Sequence, residues 1–405
     1  MTNHSYSGRG SKKKWPKLRR GSSTGLLLIS IALPIFLPLG LDFLTVTVME
    51  LCFLILFMVN NGTKKLWQNK TLQLFLGLTF VLSIAALLAN YENWFQIIRA
   101  GIAPAITAIC LVIIDRSDFK LYLPYSDVFK ILILSSGALA LLPPLEFLPQ
   151  NISINLLNEF TGEQRRFIIP HTFFLIITPF LLLKGRVALG LSGLSIAFAS
   201  GSRGAFLGIL LTVIYFAATD RSSRNLYKLI VVGVMGSLIA LFFSVTIDRL
   251  NIQGFVEDHQ RINELFSALS TAIKFPNVVF GLPFTFPHWE GYQAESTFDP
   301  EKERVFINSA FDVHNGFVFM LLRFGLSGSL LLAILLFRVW SKYPGFRPIL
   351  LCYLLLWLTS SAPIMVVDGP FALVFAFLLY RSYGDDQRIR TIRGRRAGLT
   401  DEIKN

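Results

Sequence analysis

Charge is scarce in this chain. Asp, Glu, Lys and Arg make up 16% of its 405 residues, against 53% hydrophobic residues and a mean hydropathy of +0.57. A soluble protein of this length needs far more polar surface, which leaves an integral membrane protein as the class that fits. Cysteine is equally sparse. Cys52, Cys110 and Cys352 all fall within apolar runs, so the sequence offers no disulfide framework and no metal cluster. Polar–apolar alternation over strand-length segments is missing too, which excludes a transmembrane barrel. A basic leader precedes the first apolar run, but no small-residue cleavage site follows it. The expectation is an uncleaved first span rather than a signal peptide. The two halves of the chain also lack the internal repeat common in secondary transporters.

What is present is a series of apolar runs of roughly 15–25 residues, the length of membrane-spanning helices. About twelve are expected, giving an all-α polytopic membrane protein with both termini in the cytoplasm. The spans are placed near 23–40, 42–60, 71–89, 95–114, 128–146, 170–184, 187–200, from about Arg203, 229–246, 315–339, 348–366 and 370–383. This divides the chain into a basic cytoplasmic tail (1–22), a transmembrane domain (23–383) with one large outer loop (247–313), and a second basic tail (384–405).

The net charge of +13 does not indicate a nucleic-acid partner, because of where the charges lie. Arg9, Lys12, Lys13, Lys14, Lys17, Arg19 and Arg20 crowd one end, and Arg381, Arg388, Arg390, Arg393, Arg395, Arg396 and Lys404 the other. Such clusters beside spans follow the positive-inside rule and attract anionic lipid head groups. All but ten of the 38 Lys and Arg residues fall inside or at the inner boundary. The exceptions, Arg165, Arg166, Arg203, Arg261 and Arg323 among them, are not explained by topology.

Ser200-Gly201-Ser202-Arg203-Gly204-Ala205 sets an arginine among small residues at the start of a span. Glycines allow close backbone approach, a helix N-terminus favours an anion, and a guanidinium matches phosphate oxygens. The group reads either as a diphosphate site at the outer leaflet or as a snorkelling arginine with helix-packing glycines. His314, in His314-Asn315-Gly316, begins the tenth span. It reads as a general base near neutral pH or as a helix-end hydrogen-bonding residue. Arg323, nine residues deeper, must face the bundle interior. Arg165 and Arg166 precede the sixth span, where they meet substrate phosphate or anionic lipid.

The large loop carries ten acids and five bases. Within it Ile262, Leu265, Phe266, Leu269 and Ile273 recur at helical spacing, predicting an amphipathic helix from about Glu257 to Lys274 that Pro276 ends. Its apolar stripe is expected on the membrane surface or capping the bundle. Arg261 near its start is a second phosphate ligand or a solvated charge. Phe284-Thr285-Phe286-Pro287-His288-Trp289 reads as an interfacial or sugar-stacking stretch.

The arginine motif opening a span, the arginine-led loop helix and the His-Asn-Gly return before Phe324-Gly325-Leu326-Ser327-Gly328 together resemble the O-antigen ligase and O-antigen polymerase superfamily. These are bacterial multi-span glycosyltransferases of GT-C type. The resemblance covers about residues 160–335, and the N-terminal third matches only in hydropathy. It implies a metal-independent, cofactor-free inverting transfer at the periplasmic face of the inner membrane. The implied donor is a glycan on undecaprenyl diphosphate. The implied acceptor is lipid A core for a ligase, or a second lipid-linked glycan for a polymerase. Carried over residue by residue, Arg203 and Arg261 match the family's diphosphate-binding arginines and His314 its proposed base. Ser202, Gly204, Asn315, Arg165, Arg166 and Arg323 are the expected substrate-binding residues around them. Two departures accompany the resemblance: the segment just after Arg261 lacks the tryptophan often found there, and Pro170-His171 replaces an Asn-bearing turn. Asp42, the acid nearest to where other GT-C enzymes hold a metal, has no second acid beside it. A protein oligosaccharyltransferase and a lipid or solute transporter remain as further alternatives.

Overall fold

A computed structural model describes residues 66–89, 94–116, 125–141, 171–199, 203–219, 264–284, 313, 315–359 and 369–384. Regular structure among them is helical. The helices are α1 (Lys70–Ala89), α2 (Trp94–Arg116), α3 (Tyr125–Leu141), α4 (His171–Leu183), α5 (Val187–Ala199), α6 (Arg203–Thr219), α7 (264–272), α8 (Asn277–Phe280), α9 (Gly316–Lys342), α10 (Arg347–Thr359) and α11 (369–384). Nine of them occupy positions expected for spans. The expected spans near 23–40, 42–60 and 229–246, with residues 1–22 and 385–405, lie outside the described residues.

Two helices, α1 and α9, are long and apolar enough by themselves to cross a membrane. Shorter apolar helices pack around them. Each of α4 and α5 has 13 residues, about 20 Å at ~1.5 Å per residue. They are joined through Lys184-Gly185-Arg186, where Gly185 takes a positive φ of 70°. Outward-facing apolar side chains are what lipid asks of such a bundle. On α1, Leu74, Phe80, Val81 and Leu88 are exposed, while Leu72, Phe75, Thr79, Leu82 and Ala86 are buried.

Two packing groups follow from which faces meet. In one, α1, α2 and α9 lie together; in the other, α4 packs on α5, α6 and α10, with α3 against α5. Small residues permit the close approaches. A Cβ at Gly137 on α3 would fall 2.7 Å from Ser192 Cα, and one at Gly193 on α5 would fall 1.9 Å from Thr178 Oγ1. The two groups join where α9 meets α10.

The amphipathic loop helix is present over 264–272, and much of its apolar stripe faces away from the bundle. Glu264, Ala268 and Ala272 are its buried positions, Leu265 and Leu269 are half-buried, and Phe266 and Ile273 are exposed. Alanines let α7 sit close to the bundle, and the large apolar side chains turn outward. Ile262 lies outside the described residues.

Candidate functional site

Helix α9 is broken. Gly325 has φ 61° and ψ −168°, a conformation open only to glycine, in the middle of an otherwise helical run. A broken helix leaves backbone groups without intrahelical partners, and here a segment of the large loop supplies them. Leu282 N–H donates to Leu322 O at 2.7 Å, and Ser327 Oγ donates to Val279 O at 2.7 Å. Gly281, at φ 86°, faces the break from the loop side. A Cβ on it would stand 2.2 Å from Arg323 O, and one on Gly325 would stand 2.5 Å from Val279 O. The two glycines therefore let two backbones touch.

Arg323, placed by the sequence inside the bundle, is fully buried beside this break and donates from a terminal nitrogen to Pro283 O at 2.9 Å. The next loop residue, Phe284, is buried between three helices. Its ring lies 5.4 Å from that of Phe324, which stacks at 5.3 Å on Phe75 of α1, and it fills the space above Gly101 of α2. Phe284 is thus a core residue. Residues 285–289 of the same aromatic stretch lie outside the described residues.

Asn315 caps α9. Its Oδ1 accepts from Phe317 N at 3.0 Å and Val318 N at 3.1 Å, and its Nδ2 donates to Leu358 O at 2.9 Å. The cap leaves the first turn of α9 with its amides satisfied, and the second bond ties that turn to the C-terminal end of α10. Gly316 closes the same junction, packing against Trp357 within 3.0–3.3 Å of where a Cβ would stand.

Helix α6 reaches the same end of α10 from the other side. Thr212 sits beside Cys352, and one turn nearer the start of α6 Gly208 faces Leu355, 3.5 Å from a built Cβ. The two helices run antiparallel, so Arg203, five residues before Gly208, begins α6 about one turn from Leu358 at ~1.5 Å per residue. The starts of α6 and α9 therefore both lie toward one end of α10, each presenting the positive end of a helix there. Gly204 lies in the first turn of α6. Ser202, Arg261, His314, Arg165 and Arg166 lie outside the described residues, as does the side chain of Arg203. The neighbours of His314 are placed: Val313 is buried and Asn315 is the cap.

Glu264 is a buried acid that sequence reading passed over, three residues beyond Arg261 on the loop helix. Its signal was its place in line with Ala268 and Ala272, the small residues that meet the bundle.

Comparison with known proteins bears on this same stretch. Residues 188–333 match a family model described as O-antigen ligase. This match supports the O-antigen ligase and polymerase superfamily. The match runs from α5 through the first two-thirds of α9, so it contains Arg203, Arg261, His314, Asn315 and Arg323. Arg165 and Arg166 fall before it. The family is one of the inner membrane, and the apolar helices fit that setting. Curated proteins yielded no match to the chain. The matched domain supports an O-antigen ligase- or polymerase-type glycosyltransferase as the class of function.

Proposed function

We propose that this protein is an O-antigen ligase-type transferase that moves a glycan from undecaprenyl diphosphate to a hydroxyl of lipid A core at the periplasmic face. The observation that supports the reading is that the starts of α6 and α9 lie toward the same end of α10, because the motifs proposed for anion binding and for the base sit at those two starts. In this reading His314 takes the proton of the acceptor hydroxyl. The hydroxyl oxygen attacks the anomeric carbon from the face opposite the diphosphate, and the carbon–oxygen bond to the diphosphate breaks with inversion. Arg203 and Arg261 balance the charge that grows on the departing diphosphate, aided by the helix dipole of α6, in a step that needs no metal ion. Ser202 and Gly204 line the phosphates, and Arg165 and Arg166 meet the lipid carrier from the outer side. Asn315 fixes the turn that bears His314. Arg323, deeper in α9, braces the loop from behind.

A polymerase would use the same donor site and a second lipid-linked glycan as acceptor. Transporters also use broken helices with midplane charges. In this chain the break at Gly325 is filled by backbone of the loop, which supports an architectural role for it.

The test is product analysis with purified protein, lipid-diphosphate glycan and lipid A core in the presence of chelator. Glycan on the core, lost in His314→Ala and in Arg203→Ala, is the expected result. Longer lipid-linked chains without core product would replace the ligase by the polymerase. No transfer to either acceptor would overturn the reading.

A further inference from the structure

We propose that residues 272–284 form a re-entrant element whose outward side chains face the acyl chains of the leaflet on the Asn315 side, making this part of the large loop a membrane-embedded lipid contact surface.

Depth carries the argument. Lys342 and Asp115, paired at 3.6 Å, mark a charged boundary where α9 and α2 end together. Gly325 lies 17 residues back along α9 from Lys342, about 26 Å at ~1.5 Å per residue. Gly101 lies 14 residues back along α2 from Asp115, about 21 Å on the same rise. The hydrocarbon layer is about 30 Å thick. The contact of Gly281 with Gly325 and that of Phe284 with Gly101 thus both fall roughly 4–9 Å beneath the far boundary, inside the hydrocarbon.

A chain at that depth must leave no backbone polar group to lipid. Those at the contact with α9 are engaged: Gly281 N donates to Asn277 O at 2.8 Å, Leu282 N to Leu322 O, Ser327 to Val279 O and Arg323 to Pro283 O. The side chains turned away from the bundle are large and apolar. Ile273 is 65% exposed, Phe275 82% and Phe280 55%, with Phe266 just before them at 66%.

The surface is also continuous with one that already faces lipid. Phe280 stands between Val279 and Gly281, which touch Ser327 and Gly325, and Leu326 lies between those two on α9. Leu326, Leu330, Ile334 and Phe337 form the exposed apolar row of that span. Lys274, exposed between Ile273 and Phe275, is placed to extend its ammonium to a head-group phosphate.

The test uses the full-length protein with Cys52→Ser, in which the remaining Cys110 and Cys352 are buried. Phe275→Cys and Phe280→Cys are labelled singly with bimane, and Leu330→Cys serves as the lipid-facing reference. Each is reconstituted in phosphatidylethanolamine–phosphatidylglycerol vesicles containing acyl-chain doxyl phosphatidylcholine. Doxyl quenching within about twofold of that at Leu330, with little quenching by aqueous iodide, is expected if both side chains lie among acyl chains. Strong iodide quenching at either site would overturn the proposal. So would a label shielded from both quenchers, which would mean a protein cover such as a second copy of the chain.

Discussion

Replacing Gly325 by alanine should unlock the large loop from α9 without unfolding the bundle. At φ 61° and ψ −168° the residue occupies a region that costs any other amino acid about 1–3 kcal/mol. The new methyl group would stand 2.5 Å from Val279 O and 2.6 Å from Gly281 N. Both are backbone atoms, so the loop must withdraw rather than rotate a side chain. Withdrawal breaks the Leu282–Leu322 and Ser327–Val279 hydrogen bonds, each with a net contribution of about 0.5–1.5 kcal/mol. Together the cost is roughly 2–6 kcal/mol, which at ~1.4 kcal/mol per tenfold raises local opening at least about 30-fold. Hydrogen exchange read by mass spectrometry on a peptide spanning residues 277–284 measures it directly, since the Leu282 amide is protected by the bond that breaks. Gly77→Ala on α1 is the control: no atom lies within 4 Å of its built Cβ, and alanine favours a helix. An exchange rate for Leu282 that rises less than about threefold in Gly325→Ala, or that rises equally in Gly77→Ala, would refute the reasoning.

Other substitutions separate the roles assigned above. Arg323→Met removes the donor to the buried Pro283 carbonyl and should lower thermal stability in detergent by about 1–3 kcal/mol, whereas Arg323→Lys retains part of it; equal stability for Arg323→Met and wild type would remove the bracing role. Asn315→Asp keeps the α9 cap but loses the donor to Leu358, so it should fall between wild type and Asn315→Ala, which loses about 1 kcal/mol more with the cap. Melting in detergent by light scattering ranks the three proteins. Gly193→Leu should abolish folding of the α4–α5 pair, because its side chain would overlap Thr178, and a normal yield of monodisperse protein would contradict that packing.

Hydropathy located the helices well where burial and lipid exposure demand the same residues. The runs at 71–89 and 315–339 became α1 and α9 almost residue for residue. It could not locate the break in α9. In sequence, Gly325 lies in an unbroken apolar run and reads as one more helix-packing glycine. The residue that demands its conformation, Gly281, sits 44 positions away in a polar-looking loop. Asn315 shows a related limit. An asparagine just before an apolar run is a standard helix cap, and the structure gives Asn315 three structural hydrogen bonds that the resemblance alone does not indicate. The loop helix is legible by period, and of the two places open to its apolar stripe the exposure of Phe266 and Ile273 agrees with the membrane surface. Its bundle-facing positions, Ala268 and Ala272, are set by size rather than hydrophobicity. Arg323 was recognised as interior because a buried arginine has few other places to be; that its partner is a loop carbonyl depends on chain folding that no local pattern encodes.

The double anchorage of the large loop has a consequence for how such chains can vary. Phe284 on one side, and Val313 with Asn315 on the other, are seated in the bundle. One residue inserted between 272 and 281 would shift Gly281 out of line with Gly325. The spacing of this stretch is thus locked by a contact 44 positions away in the chain. Relatives and laboratory chimeras should keep the length of 272–284 while its outward side chains vary among apolar residues.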